Sequence, residues 1–128
     1  MKKVRVITAE EAALMVKDGD VVSTGGFVSC ACPEALTRAL ENRFVETGHP
    51  RDLTLFFAAG QGHRDGTGGD HFGHEGMCKR VVGGHWDRAA KLGELALANK
   101  FIGTSLGLQG DIVVNLHAQV DEETAKDA

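Results

Sequence analysis

Two short apolar stretches that each run into closely spaced glycines constrain the fold of this chain most. Residues 20–24 are rich in β-branched side chains and lead directly into Gly25 and Gly26. Residues 53–58 form the most apolar stretch of the chain, and Gly60 follows them. β-Branched and aromatic residues favour strands, and glycine permits the sharp turn at which a strand stops. The pattern therefore predicts two strands that each end in a glycine turn.

Helical signals alternate with these strands. Thr8 and Glu11 have the spacing of a capping box, in which each side chain bonds the backbone N–H of the other residue. This box predicts a helix that continues to about residue 17. Pro33 suits the first helical position, and apolar residues at helical spacing after it predict a second helix that stops at Gly48.

Further short elements continue the alternation. Strands are predicted over residues 4–7, 79–82, 101–102 and 111–114, and a third helix over residues 87–99. Alternating strands and helices with glycines at the strand ends predict the α/β class, with an open, mostly parallel sheet. Ligands bind such sheets at the carboxyl ends of the strands, which are the positions of the two glycine turns.

Composition limits the possible partners. The chain has 128 residues, the length of one domain, and its 14 basic and 18 acidic side chains leave a net charge of −4. It therefore lacks the basic surface of a nucleic-acid-binding domain, and no apolar run suits a membrane helix or a signal peptide. An odd number of cysteines, three, provides no disulfide framework. We expect a single cytoplasmic domain with no nucleic-acid or membrane partner.

The glycine turn after the first strand is the strongest candidate for a binding site. Without a Cβ atom, Gly25 and Gly26 let backbone N–H groups approach a ligand closely. Such donors can stabilise an oxyanion, and the start of a helix near Pro33 adds a dipole that favours negative charge. The same pattern also suits a tight turn that only packs a helix on a sheet.

Gln61 gives the second strand end a possible function of its own. It lies between Gly60 and Gly62, where its amide can donate to a carboxylate or thioester oxygen. It can equally be an ordinary polar loop residue. Because neighbouring parallel strands end at the same edge of a sheet, we expect the two glycine-rich ends to lie together.

The histidine-rich stretch over residues 60–76 raises the question of a metal site. His71 and His74 are separated by two residues among glycines and lack the paired spacing of structural zinc sites. We expect no metal, and a solvated loop that covers a ligand. The other potential ligands nearby are His63, His85, Asp65, Asp70, Glu75 and Cys78.

Two further patterns are interpreted as having no function. Residues 103–107 match the Gly-x-Ser-x-Gly string of a nucleophile elbow, but a strand-like run follows where a helix is required. Cys30 and Cys32 are separated by one residue and are interpreted as an inert pair of small residues.

Residues 18–33 resemble the first signature of the family I coenzyme A (CoA) transferases. An acidic residue and glycine, an apolar strand, the triplet Gly25, Gly26 and Phe27, and Pro33 six residues later carry this resemblance. The signature is altered at Ser23 and Thr24, where apolar residues are usual, and at Ala31, where glycine is usual.

The resemblance continues to about residue 100, where residues 58–62, 66–76 and 82–86 are similar to the acetate/propionate branch of the family. It covers the N-terminal portion of a much longer chain, and residues 101–128 diverge. The resemblance implies a single truncated domain with the three-layer α/β/α fold that the family shares with phosphosugar isomerases. This fold is expected to be incomplete at its C-terminal end.

The resemblance also implies an activity. The family transfers CoA from a short-chain acyl-CoA to a carboxylate such as acetate or propionate, in a ping-pong reaction through a glutamyl-CoA thioester. CoA is a substrate, and no separate cofactor is implied. The nucleophilic glutamate belongs to the C-terminal half, so no catalytic residue is expected here. The residues expected to form the acyl and oxyanion side of the site are Gly25, Gly26, Phe27, Gln61 and Gly62.

Three functions remain open. The chain can be half of an enzyme that is inactive without a glutamate-bearing partner. The expected protein partners are further copies of this chain in a homo-oligomer or a complementary C-terminal half. It can also be a non-catalytic remnant that binds acyl-CoA or a homologous subunit. A phosphosugar-isomerase-like enzyme is the third possibility, but we find no suitable set of acid and base residues for it.

Overall fold

A computed structural model of the protein describes residues 3–105. Strands and helices alternate through this part of the chain, with one 3₁₀ helix between the second and third strands. The elements in order are α1 (Ala9–Ala13), β1 (Val21–Ser23), α2 (Glu34–Thr47), β2 (Leu53–Phe57), the 3₁₀ helix (Gly68–Phe72), β3 (Cys78–Gly83), α3 (Ala90–Leu97) and β4 (Ile102–Ser105).

The four strands form one parallel sheet in the order β1-β2-β3-β4. Leu55 in the middle of β2 is aligned with Val22 of β1 and with Val81 of β3. Val81 is aligned in turn with Gly103 of β4. The predicted α/β class and open parallel sheet are therefore confirmed.

The hydrophobic core lies between one face of the sheet and a continuous layer of helices. Alternate residues of β2 are almost fully buried, with Leu53 and Leu55 at 0 % and Phe57 at 3 % relative exposure. α1 packs on α2, α2 on the 3₁₀ helix, and the 3₁₀ helix on α3, so these elements cover the same face. The remaining core residues are Ala13, Ala39, Leu40, Phe72, Met77, Cys78, Val81, Ala89 and Leu92.

The opposite face of the sheet is largely uncovered by residues 3–105. Val21 of β1 is 73 % exposed and Ile102 of β4 is 68 % exposed, while Phe56 of β2 is half-buried. Sheets that are entirely parallel normally carry helices on both faces. The described residues thus provide the sheet and one helical layer of a three-layer arrangement.

The predicted strand over residues 4–7 is wrong. This segment is irregular, and Val4 and Val6 are 93 % and 98 % exposed. A strand requires a neighbour for its backbone hydrogen bonds, and no other strand of the described chain pairs with this segment. Local alternation of apolar and charged residues could not reveal that the edge of β1 stays unpaired.

α1 has the predicted capping box at Thr8 and Glu11, but it ends at Ala13 instead of near residue 17. A contact from α2 explains the early end. The Arg43 guanidinium donates to the carbonyl oxygens of Ala13, at 2.9 Å, and Val16, at 2.6 Å. These carbonyls are satisfied by a residue about thirty positions away, so the chain leaves the helix without exposing unpaired acceptors.

The other helix boundaries lie close to the prediction. Pro33 is the N-cap of α2, one position before the first helical residue, and Gly48 ends α2 with a φ of 75°. That left-handed conformation is the reason glycine is favoured at this position. α3 starts at Ala90, three residues later than predicted, because residues 87–88 form a turn.

Two strands were predicted near the end of the chain. One is observed with different bounds, and the other lies outside the described residues. The strand predicted over residues 101–102 is observed as β4, Ile102–Ser105. Residues 103–105 of the Gly-x-Ser-x-Gly string therefore lie in a strand, while its last two residues fall outside the described part. The predicted strand over residues 111–114 and the divergent end beyond residue 105 also lie outside it. Among the described helices, none has the length and apolar character to cross a bilayer.

Candidate functional site

The two glycine-rich strand ends lie side by side, as predicted. β1 and β2 are parallel neighbours, and their backbones pair again beyond the strands at Val28 and Gln61. The Val28 N–H donates to the Gly60 carbonyl at 2.8 Å, and the Gly62 N–H donates to the Val28 carbonyl at 2.7 Å. This second pairing joins the loop after β1 to the loop after β2 at the carboxyl edge of the sheet.

Gly26 is required by the shape of the turn, whereas Gly25 is not. Gly26 has a φ of 121°, and a Cβ atom there would lie 2.6 Å from Cys32 Sγ and 3.0 Å from the Cys32 backbone. No described atom beyond its chain neighbours lies within 4 Å of a Cβ placed on Gly25. The turn therefore presses against Cys32 at one glycine and is open at the other.

The N–H groups of this glycine pair have no acceptor among residues 3–105. On either side, the Thr24 N–H donates to Phe56 at 3.2 Å and the Phe27 N–H donates to Cys30 at 3.0 Å. The N–H groups of Gly25 and Gly26, which lie between these two bonds, donate to no carbonyl or side chain of the described chain. Two adjacent backbone donors are thus available to a ligand.

Gln61 has a structural contact that the sequence did not indicate. Its side-chain Nε2 donates to the Thr24 carbonyl at 2.9 Å, and the residue is only 4 % exposed. The amide thereby continues the hydrogen bonding between β1 and β2 past the point where the strands diverge. An ordinary polar loop residue would not be buried in this way, so Gln61 stabilises the position of the glycine turn.

A cleft of about 230 Å³ lies beside the two loops. One wall comes from the loop after β1 and the start of α2, and the other from the segment after β2. Of the five predicted site residues, Gly62 lines this cleft. Gln61 directly precedes Gly62, and Gly25, Gly26 and Phe27 precede Val28, the first lining residue; these four do not line the cleft. The lining residues are Val28, Ser29, Cys32 and Glu34 on one wall, and Gly62, His63, Asp65, Thr67 and Gly68 on the other.

The glycine- and histidine-rich segment is not the solvated loop that the sequence predicted. Its central part is the 3₁₀ helix, in which Asp70, His71 and Phe72 are 1 %, 5 % and 1 % exposed. Asp70 explains part of this order, because its carboxylate accepts the Lys91 N–H at 2.9 Å and the Gly66 N–H at 3.2 Å. It caps α3, whose own N-cap Ala89 has no side-chain acceptor.

Two glutamates and two histidines form a connected cluster behind the cleft. His71 Nε2 lies 2.5 Å from Glu34 Oε1, and His71 Nδ1 contacts Glu41. His74 Nε2 lies 2.6 Å from the other oxygen of Glu41. Sequence analysis did not identify the glutamates; the available signal was that Glu34 and Glu41 lie two turns apart on α2. In the part of the chain that the structure describes, no three histidine, cysteine or acidic side chains are placed to hold a metal ion.

Burial and hydrogen bonding act in opposite directions on these two carboxyl groups. Partial burial raises the pKa of Glu34, but hydrogen bonds from His71 and the Gly68 N–H lower it more. Partial burial likewise raises the pKa of Glu41, and hydrogen bonds from His71 and His74 outweigh that effect. The pKa of each carboxyl therefore lies below its ordinary value of 4.5.

The chain that carries these two strand ends is similar in sequence to known proteins over most of its length. No protein-family model matches the chain. Caffeate CoA-transferase of Acetobacterium woodii is 31 % identical over 116 residues, which are 91 % of this chain and 22 % of that protein. Acetate CoA-transferase YdiF of Escherichia coli K12 is 32 % identical over 103 residues, which are 78 % of this chain and 19 % of YdiF. The chain is a homologue of CoA-transferases.

Solved structures agree with this assignment. The crystal structure of the acyl-CoA transferase YdiF apoenzyme from E. coli O157:H7 has a TM-score of 0.77 and 29 % identity, over 84 % of this chain and 21 % of that one. The thioester complex of YdiF with CoA has a TM-score of 0.78 and 28 % identity, over 81 % of this chain and 21 % of the YdiF chain. This CoA-transferase homologue thus spans about a fifth of the length of the relatives that it matches. These relatives are named as transferases, so the alternative of a non-catalytic remnant is not favoured.

The glutamates of the cluster predict how the stability of this CoA-transferase homologue depends on pH. Because their pKa values are lowered by folding, their contribution is complete above the ordinary pKa of 4.5 and is lost as the pH falls through the lower folded values. We expect the urea concentration at the unfolding midpoint to decrease as the pH is lowered below 4.5. This decrease is expected to be smaller in Glu41→Gln than in the wild type. Urea titrations between pH 7 and pH 3 measure this. An equal acid dependence in both proteins would contradict the assignment to Glu41.

Asp70→Ala is expected to destabilise the CoA-transferase homologue by about 1–3 kcal/mol, since two backbone N–H groups lose a carboxylate acceptor in a buried place. Urea denaturation followed by circular dichroism measures the change. Asp65→Ala is the matched control, because Asp65 is exposed and bonds only its near neighbour Thr67. We expect less than about 1 kcal/mol for the control, and equal losses in the two variants would contradict the capping role.

Proposed function

We propose that this chain supplies the acyl-CoA-binding side of a CoA-transferase active site and acts together with a portion, outside residues 1–128, that carries the nucleophilic glutamate. The observation that carries the proposal is the pair of unbonded N–H groups at Gly25 and Gly26, beside a cleft, in a homologue of CoA-transferases. The substrates are a short-chain acyl-CoA and a carboxylate such as acetate or propionate. Acetate is the carboxylate in the name of the relative YdiF, an acetate CoA-transferase.

The chemistry of a thioester explains why such donors are needed. When a nucleophile adds to the thioester carbonyl, the carbonyl oxygen becomes an anion in the tetrahedral intermediate. In this proposal the N–H groups of Gly25 and Gly26 donate to that oxygen. Preorganised donors of this kind each contribute about 2.7–4 kcal/mol to the transition state where they have been removed by mutation. Gln61 holds the turn in place through Thr24 and is not itself the donor.

The N-terminus of α2 has a smaller part in the proposal than the sequence suggested. Its first residue, Glu34, places a carboxylate in the first turn, where the helix dipole favours negative charge. That carboxylate already accepts the Gly68 N–H at 3.0 Å. The dipole is therefore compensated within the chain, and the glycine amides remain as the donors for a ligand.

A glutamate-bearing portion beyond residues 1–128 is part of the proposal for two reasons. The resemblance assigns the nucleophilic glutamate to the C-terminal half of the family, and this chain matches about a fifth of its relatives. The sheet face that carries Val21, Phe56 and Ile102 also lacks a covering layer among residues 3–105. We propose that the glutamate-bearing portion packs on this face. A cytoplasmic setting fits, because the thiols of Cys30 and Cys32 are free.

A chimera tests the proposal. This chain replaces the matching segment of E. coli YdiF, and transfer of CoA from propionyl-CoA to acetate is measured. We expect transfer by the chimera and none by the 128-residue chain alone, and borohydride is expected to trap a glutamyl thioester only on the YdiF portion. A folded chimera that binds no acyl-CoA would contradict the proposal. A chimera that binds acyl-CoA without transfer would favour the alternative, a non-catalytic remnant.

A further inference from the structure

The cluster of Glu34, Glu41, His71 and His74 has no place in the proposed chemistry, yet hydrogen bonds join its four side chains. The His71 side chain is 6 % exposed, and both of its ring nitrogens face carboxylate oxygens. His71 thus lies between two carboxylates that belong to the same helix.

The cluster connects the two walls of the cleft. Glu34 lies on the α2 wall, two residues after Cys32, which packs against Gly26. The other wall is attached to the same carboxylate, because the Gly68 N–H donates to Glu34 Oε2 at 3.0 Å. His71, three residues further along that wall, donates to Glu34 Oε1. One carboxylate therefore accepts from two points of the opposite wall.

The same wall is bonded to the residue that holds the glycine turn. The Gly69 N–H donates to the Gln61 carbonyl at 3.1 Å, and Gln61 bonds Thr24 through its side chain. Hydrogen bonds at the adjacent residues Gly68 and Gly69 thus connect the cluster, through Gln61, to the residue before Gly25.

We propose that His71 is a positioning residue, which holds the two walls of the cleft at a fixed separation by bridging Glu34 and Glu41. The proposal rests on the function proposed above for the cleft, but the bridge itself is a property of the chain alone. Without His71, the remaining side-chain partners are His74 for Glu41 and Arg38 for Glu34, and Arg38 is 61 % exposed at 3.6 Å from Glu34. The walls then separate, and the N–H groups of Gly68 and Gly69 become accessible to water.

His71→Gln tests this proposal, with His49→Gln as the matched control. His49 also pairs with a carboxylate, Asp18 at 2.9 Å, but on the exposed surface. In the 128-residue chain we expect amide hydrogen exchange at Gly68 and Gly69 to accelerate about tenfold or more in His71→Gln, and to stay unchanged in the control. In His71→Gln the Glu41 carboxylate keeps His74 but loses its contact with His71. Adding Glu41→Gln removes this partly buried charge and is expected to restore part of the protection.

The YdiF chimera provides the readout that distinguishes positioning from stability. We expect His71→Gln to raise the KM for acyl-CoA about fivefold or more with a smaller change in kcat, because the walls no longer match the ligand. A loss of folded protein alone would lower the apparent kcat at unchanged KM. If His71→Gln does not fold, Glu34→Gln takes its place, since it retains an acceptor for Gly68 but not the negative charge.

The outcomes separate the two proposals. Suppose that the chimera is active, and that His71→Gln has the same amide exchange rates and the same KM as the control. This result would overturn the positioning role and leave the proposed function intact. A wild-type chimera that binds no acyl-CoA would contradict the proposed function. The exchange measurement on the chain alone would then still decide whether His71 holds the walls together.

Discussion

Gly25→Pro is expected to lower kcat of the YdiF chimera about 10²–10³-fold, which is the cost of removing one oxyanion donor. Proline has no backbone N–H, so this substitution deletes one of the two proposed donors. Residue 24 follows a strand directly, and the extended backbone that a following proline requires suits that position. The measurement is transfer of CoA from propionyl-CoA to acetate at saturating substrate.

Gly25→Ala is the matched control for this experiment. Alanine retains the N–H, and its Cβ would meet no described atom within 4 Å outside the neighbouring residues. We expect its kcat to remain within about tenfold of the wild type, because the donor is unchanged. Equal kcat values for the proline and alanine variants, with both proteins folded by circular dichroism, would show that the Gly25 N–H does not act in the reaction.

Gly68→Ala is expected to destabilise the chain by about 3 kcal/mol or more. Gly68 has a φ of 62°, which costs an alanine about 1–2 kcal/mol in the left-handed region. The new Cβ would also lie 2.6 Å from the backbone carbon of Gln61 and 2.6 Å from the Gly62 nitrogen. Backbone atoms cannot move away as a flexible side chain can, so the 3₁₀ helix must shift.

Gly66→Ala separates the two contributions. Gly66 has a φ of 89°, but the nearest atom to a Cβ there is the flexible Lys91 Nζ at 3.9 Å. This variant carries the conformational cost without the collision, and we expect a loss of about 1–2 kcal/mol in urea denaturation. If the two variants lose the same stability, the close approach of the 3₁₀ helix to Gln61 is not a strong constraint.

The strands and glycine turns could be predicted because their signals are local. The β-branched residues before Gly25 and the apolar stretch before Gly60 each indicate a strand within a few residues, and parallel pairing places both ends at the same edge. The availability of the N–H groups at Gly25 and Gly26 follows from the same turn. The fold class and the position of the candidate site could therefore be predicted from short-range patterns.

The contacts that order the site could not be predicted in this way. His71 meets Glu34 across 37 positions, and Lys91 meets Asp70 across 21. Histidine and aspartate among glycines are typical of a polar loop, and no local pattern shows that a helix end or a glutamate pair will cover them. The segment after β2 was predicted to be solvated for this reason, although tertiary contacts bury its centre.

The same limitation explains the errors at the ends of elements. Residues 4–7 alternate like a strand, but strand formation depends on a neighbour elsewhere in the chain. α1 stops early because Arg43 of α2 bonds its last carbonyls, which a capping pattern at Thr8 cannot indicate. In both places the outcome was decided by a residue or an edge distant in sequence.

A crystal structure of the YdiF chimera with a bound CoA thioester tests whether the two glycine N–H groups hold the thioester oxygen. We expect the backbone nitrogens of Gly25 and Gly26 to lie about 2.7–3.1 Å from that oxygen, or from the position that its oxyanion will occupy. A thioester whose oxygen is held by other groups, with these two nitrogens facing solvent or covered by side chains, would contradict this expectation.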